Sequence, residues 1–156
     1  MINLCGIPFS SRPSWEEYAL ALAQTASSRS QDPYKKVGAC ALRFDKSVAA
    51  IGYNGPPRGI EIDWSNREER RRRVIHAECN CLTYCKPNEI WLLASTLLPC
   101  SACMQLIGSY SIKSVVYSEI YSRDDFALQL AKEYKIELHK ISPPIISKPE
   151  LAFSPP

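Results

Sequence analysis

Four side chains in two short stretches carry the chemistry available to this sequence. His76-Ala77-Glu78 places an imidazole and a carboxylate two residues apart. Pro99-Cys100-Ser101-Ala102-Cys103 places two thiols three residues apart, directly after a proline. One nitrogen and two sulfurs suit zinc, and three protein ligands leave the fourth tetrahedral position to water, as in catalytic sites. Glu78 is then free to act as acid/base rather than as a ligand. Other uses of these residues remain open: buried small thiols, a redox pair, or a structural zinc closed by His139, Cys79, Cys81 or Cys85.

The elements that must position these groups favour the catalytic reading. Pro99 is compatible with a helix start. Cys100 and Cys103 then lie in a first turn, where free backbone N–H groups and the helix dipole favour thiolates. His76 falls near the start of an apolar run, Val74 to Leu82. Positions i and i+2 of a helix do not share a face, so His76 and Glu78 serve one site only if the helix end points at it. Two thiolates and a neutral imidazole leave bound zinc near neutral and its water only moderately acidified, so Glu78 is needed to move the water's proton.

The rest of the chain alternates helices and strands. Ser14-x-x-Glu17 reads as a capping box opening an amphipathic helix that ends near Ser27-Ser28. Ser30-Gln31-Asp32-Pro33 breaks it. Val37 to Phe44 and Val48 to Tyr53 read as strands joined by a short hairpin. The stretch Gly52 to Gly59 holds three glycines and two prolines in eight residues, a loop at a strand exit suited to binding or simply to turning. Six of the ten arginines fall between Arg58 and Arg73; they form either a solvated helix face or an anion-binding wall. A helix over His76 to about Tyr84, a strand Ile90 to Ser95, a helix from Cys100 to about Gly108, a strand Ser114 to Ser118, a helix over Phe126 to Tyr134 and a strand Ile136 to Ile141 follow. Cys81 and Cys85, four apart, read as small core residues rather than a second metal site. The pattern predicts an α/β layer fold with a mixed sheet, both ligand stretches at strand-to-helix turns.

The chain has 156 residues, a net charge of +3 and 46% hydrophobic residues, the size and composition of one ordinary domain, read as 1–141 with a Pro-rich tail at 142–156. The modest charge does not point to a nucleic-acid partner. Seven cysteines, an odd number, with a start too short and uncharged for a signal segment, predict reduced thiols in the cytoplasm. No apolar run approaches the roughly 20 residues needed to span a membrane.

With these residues in hand, the chain resembles the deoxycytidylate (dCMP) deaminases of the cytidine deaminase superfamily. The matching pieces are Arg29-Ser30-Gln31-Asp32-Pro33, Val37-Gly38-Ala39, Gly52-Tyr53-Asn54-Gly55 with Pro57 and Gly59, His76-Ala77-Glu78-Cys79-Asn80, Pro99-Cys100-Ser101-Ala102-Cys103 and Ser118-Glu119-Ile120-Tyr121, in the family's order. The resemblance implies a three-layer α/β/α fold with a mixed five-stranded sheet. It implies zinc-dependent hydrolysis of dCMP to dUMP and ammonia, with His76, Cys100 and Cys103 on zinc and Glu78 as acid/base. It also implies a homo-oligomer, often a hexamer, activated by dCTP with Mg²⁺ and inhibited by dTTP through the loop carrying Asn54, Gly55 and Arg58. The substrate is expected against Asn54, Arg29, Ser30 and Tyr121. The short Arg-rich segment before His76 and the cysteines at 79, 81 and 85 depart from the family's pattern. A tRNA adenosine deaminase shares the zinc motif and is the alternative; a zinc-binding protein without turnover is the other.

Overall fold

A computed structural model describes residues 12–142. The tail expected beyond Ser142 and the first eleven residues lie outside the described residues. The elements, in chain order, are α1 (Trp15–Ser27), β1 (Gly38–Arg43), β2 (Val48–Tyr53), α2 (Arg67–Arg73), α3 (Ala77–Leu82), β3 (Ile90–Leu97), α4 (Ser101–Ser109), β4 (Ser114–Glu119), α5 (Asp125–Glu133) and β5 (Glu137–Lys140). The five strands form one sheet in the order β2-β1-β3-β4-β5. β1 runs antiparallel to β2 and β3, whereas β3, β4 and β5 run parallel, so the sheet is mixed as the pattern predicted.

Alternation along the strands divides the core into two layers. Cys40, Leu42, Leu92, Ala94 and Val116 face α1, which presents Ala19, Leu20 and Ala23. Ala39, Ala41, Leu93 and Val115 face the other way, onto Ala77, Cys81 and Leu82 of α3, Met104 and Ile107 of α4, and Leu130 and Ala131 of α5. Cys81 and Cys85 sit in this second layer as core residues. Two glycines permit close packing. A Cβ at Gly38 would collide with the Ala23 carbonyl, and one at Gly52 would lie 2.5 Å from the Cys81 nitrogen. Gly52 therefore sets how near α3 lies to the sheet.

Helix starts follow their caps. Ser14 accepts the Glu17 N–H at 3.1 Å while Glu17 accepts the Ser14 N–H at 2.7 Å, the reciprocal capping box read from the sequence. Asn66 caps α2 by accepting the N–H groups of Glu68 and Glu69. The apolar run at Val74 is not helical from its start. Ile75 and Gly55 exchange both backbone hydrogen bonds at 3.0 Å, which holds Ile75 extended, and α3 begins only after His76. The Arg-rich segment is thus a separate helix, joined to α3 by an extended link.

Candidate metal centre and its pocket

His76 is the N-cap of α3 and Cys100 is the N-cap of α4. Both hold extended backbone angles, so their side chains lie at the helix ends rather than along the helix faces. Glu78 and Cys103 follow within the first turns, and the ends of α3 and α4 meet. The sulfurs of Cys100 and Cys103 each lie 3.4 Å from His76 Nδ1. The three donor atoms all fall within 4.8 Å of one another, the single such group among the described residues. Tetrahedral zinc with the usual Zn–S and Zn–N lengths separates sulfur from nitrogen by about 3.5 Å. The donor set and spacing therefore fit zinc held through Nδ1 and two thiolates.

The electrostatics suit the same ion. Cys103 and His76 beside it hold the Cys100 thiol down to about 4. The Cys100 sulfur in turn pushes the His76 imidazole up to about 9. Without metal the Cys100 thiolate is held between the His76 imidazolium and the Cys103 thiol, which its neighbours push up, and a cation must displace both protons to bind all three donors. Cys79 lies near, its sulfur 3.8 Å from Cys103, but it falls outside the convergent group.

Glu78 is 4% exposed. Its Oε1 accepts the Ser95 hydroxyl at 3.2 Å, and its Oε2 lies 3.7 Å from the Cys103 sulfur. Burial pushes its carboxyl above the usual range, which strengthens it as a proton acceptor. Ser95 is a site residue that motif reading missed. Its signal was a hydroxyl in the otherwise apolar run Leu92-Leu93-Ala94-Ser95, on the face that meets α3. Asp124 was missed as well. It caps α5 by accepting the Ala127 N–H and accepts the Ser101 N–H of α4 at 2.8 Å.

A pocket of about 580 Å³ opens over this centre. Its floor includes His76, Glu78, Pro99 and Cys100, and its walls include Tyr34, Lys35, Asn54, Tyr121, Arg67, Arg70 and Arg71. A second pocket, about 910 Å³, is formed by the loop after β2 and includes Arg29, Asn54, Gly55 and Arg58. Of the residues expected around the substrate, Tyr121 lines the first pocket and Asn54 lines both. Arg29 lines the second pocket and not the first. Ser30 is buried and lines neither; its hydroxyl donates to the Asn54 carbonyl at 2.9 Å. The Asn54 side chain accepts the Val37 N–H at 2.8 Å and donates to the Lys35 carbonyl at 2.9 Å. Asn80 of α3 donates to the Tyr53 carbonyl at 2.8 Å and steadies the same loop.

A His-Cys-Cys centre at two helix ends, with a buried carboxylate beside it on an α/β/α sheet, defines the zinc-dependent deaminase class. Residues 13–119 match the family model described as the cytidine and deoxycytidylate deaminase zinc-binding region, and the chain belongs to this family. The chain is 37% identical to the deoxycytidylate deaminase of Mycobacterium phage D29, over 69% of this chain and 96% of that one. It is 34% identical to the probable deoxycytidylate deaminase of Drosophila melanogaster, over 66% of this chain but only 58% of the fly protein. Its fold overlays the crystal structure of dCMP deaminase from cyanophage S-TIM5 in complex with dCMP and dUMP with a TM-score of 0.72 and 25% identity, covering 84% of this chain and 99% of that one.

Proposed function

We propose that this chain catalyses the zinc-dependent hydrolysis of dCMP to dUMP and ammonia, supplying precursor for dTMP. The observation that carries the reading is the meeting of His76 Nδ1, the Cys100 and Cys103 sulfurs and the buried Glu78 at the floor of one pocket. The substrate assignment is supported by the relatives, which are named for deoxycytidylate.

His76, Cys100 and Cys103 would hold the metal, which when bound acidifies and orients a water. Glu78 would take the attacking water's two protons in turn, passing the first to the cytosine ring nitrogen and the second to the amine, which leaves as ammonia. Ser95 holds Oε1 of that carboxyl, leaving Oε2 toward the metal centre. Tyr121 and Asn54 border the substrate, and Ser30 supports Asn54 from behind.

The second pocket is assigned to a triphosphate effector with Mg²⁺, dCTP activating and dTTP inhibiting. Arg29 and Arg58 supply positive charge there, and Gly55 lies on the same wall. Ile51, Tyr53, Ile60 and Tyr84 around it are 39% to 77% exposed, an apolar rim suited to a second copy of the chain in a homo-oligomer, a hexamer by family resemblance. A cytoplasmic location is supported by the six described cysteines, all free thiols. Among the described residues no helix is long and apolar enough to cross a membrane.

The test is ammonia release by zinc-loaded protein offered dCMP, CMP, deoxycytidine, dCTP and tRNA. Preference for dCMP is expected. Turnover of tRNA alone, or no turnover of any cytosine nucleotide, would remove the reading.

A further inference from the structure

The five arginines of α2 fall into two sets. Arg72 and Arg73 pair one turn back with Glu68 and Glu69, at 3.1 and 2.5 Å. Arg67, Arg70 and Arg71 have no ion-pair partner among the described residues. These three stand at i, i+3 and i+4, which places them on one helix face. That face forms a wall of the pocket over the metal centre.

Arg70 is the most constrained of the three. Its guanidinium carbon lies 3.8 Å above the Tyr34 ring. Stacking fixes the plane of the fork and leaves its N–H edge free. Its Nε is buried without a hydrogen-bond partner among the described residues, a costly arrangement unless an acceptor arrives with a ligand.

The pocket's own carboxylates do not supply that acceptor. Asp32 accepts the N–H groups of Tyr34 and Lys35, Asp124 accepts those of Ser101 and Ala127, and Glu78 accepts the Ser95 hydroxyl. Lys35, the other cation on this wall, is committed to Glu119 at 2.9 Å. Three unpaired guanidiniums thus face a pocket whose acids are already bonded.

We propose that Arg67, Arg70 and Arg71 are the subsite for the 5′-phosphate of the substrate, with Arg70, braced by Tyr34, as its anchor. The inference rests on the deaminase reading of this pocket. Planar forks match phosphate oxygens two at a time, and a phosphate monoester near pH 7 carries close to two negative charges. Discrimination of nucleotide from nucleoside then resides on α2, and Arg29, on the other pocket, takes no part in it.

The experiment compares Arg70→Ala, Arg71→Ala, Tyr34→Leu, Arg72→Ala and Arg29→Ala in kcat/KM for dCMP and for deoxycytidine. Calorimetric binding of dUMP and of inorganic phosphate to the zinc-loaded protein is measured alongside. Arg70→Ala is expected to lower kcat/KM for dCMP by about 10- to 150-fold, the range of a lost charged hydrogen bond, chiefly through KM. Deoxycytidine turnover is expected to change by less than about twofold, since uniform binding of the phosphate is what is removed. Tyr34→Leu should follow in the same direction, and Arg72→Ala and Arg29→Ala should leave the ratio unchanged. Equal losses on dCMP and deoxycytidine, or a ratio collapsed by Arg29→Ala instead, would overturn the proposal. If the Arg70 variant fails to fold, the exposed Arg71 serves in its place. If the protein deaminates no nucleotide, the deaminase reading fails, and dUMP or phosphate binding weakened by Arg70→Ala would still support the subsite.

Discussion

The Asp124 carboxylate joins two helix starts: it accepts the Ser101 N–H of α4 at 2.8 Å and the Ala127 N–H of α5 at 3.0 Å. Ser101 follows the proposed metal ligand Cys100, so the same carboxylate steadies the end of α4 that carries the thiols. These backbone N–H groups, Ser101 first, hold the Asp124 carboxyl below its usual range. A carboxyl depressed in the folded state adds stability above its ordinary pKa, and that stability is lost as pH falls through the folded value. Asp124→Asn is therefore expected to melt lower than the parent at pH 7, with the gap beginning to narrow below about pH 4 and closing only as pH falls through the lower value of the folded carboxyl. Thermal melts across pH 2.5 to 7 check this.

Removing one sulfur from the centre leaves two ligands for zinc. Cys100→Ser and Cys103→Ser are each expected to lose most of the metal, measured by elemental analysis after dialysis. Cys79→Ser is expected to keep it, because the Cys79 sulfur lies outside the convergent group. Zinc content unchanged in both ligand variants would contradict the assignment.

The candidate metal site was legible because its residues are local. His76 with Glu78, and Cys100 with Cys103, each lie within one turn, and their types restrict the ion. The capping box at Ser14 and the apolar run that forms β1 were legible for the same reason. Contacts set by the packing of distant elements were not. The Ser95–Glu78 hydrogen bond joins β3 to α3, and no spacing in the sequence announces it. Arg29 shows the same limit. Its neighbour Ser30 turns inward to the Asn54 carbonyl, and Arg29 lies on the second pocket. The start of α3 agrees with the helix read from His76, but the link before it was not legible: the apolar run Val74 to Leu82 is continuous in sequence, whereas the Gly55–Ile75 bridge holds its first residues extended.

Gly52 offers a purely steric test of how α3 is seated. A methyl group there would lie 2.5 Å from the Cys81 nitrogen and 3.0 Å from the Ala77 carbonyl. Backbone atoms cannot swing aside as a flexible side chain can, so α3 would have to lift from the sheet. Gly52→Ala is expected to destabilise the fold by about 1–3 kcal/mol, the usual cost of overpacking. Because His76 and Glu78 ride on α3, zinc affinity should fall with it. Denaturant melts and competition with a chelator measure the two effects.

Glu78 and Ser95 separate the acid/base role from its support. Glu78→Gln is nearly isosteric and removes the proton acceptor without touching the three metal donors. It is expected to retain zinc and to lose about 10²–10⁴-fold or more in kcat, the typical share of general acid–base work. Ser95→Ala removes one hydrogen bond to the carboxylate Oε1 and leaves the carboxyl in place. A hydrogen bond to a charged group is worth about 1.5–3 kcal/mol, so kcat should drop by about 10- to 150-fold at unchanged zinc content. The pH–rate profile distinguishes the two. That hydrogen bond stabilises the charged form of Glu78, opposing the rise that burial imposes. Its loss should move the acidic limb of the profile to higher pH, as the carboxyl then holds its proton more tightly. A Ser95→Ala enzyme with an unshifted acidic limb would show that Ser95 does not act through Glu78.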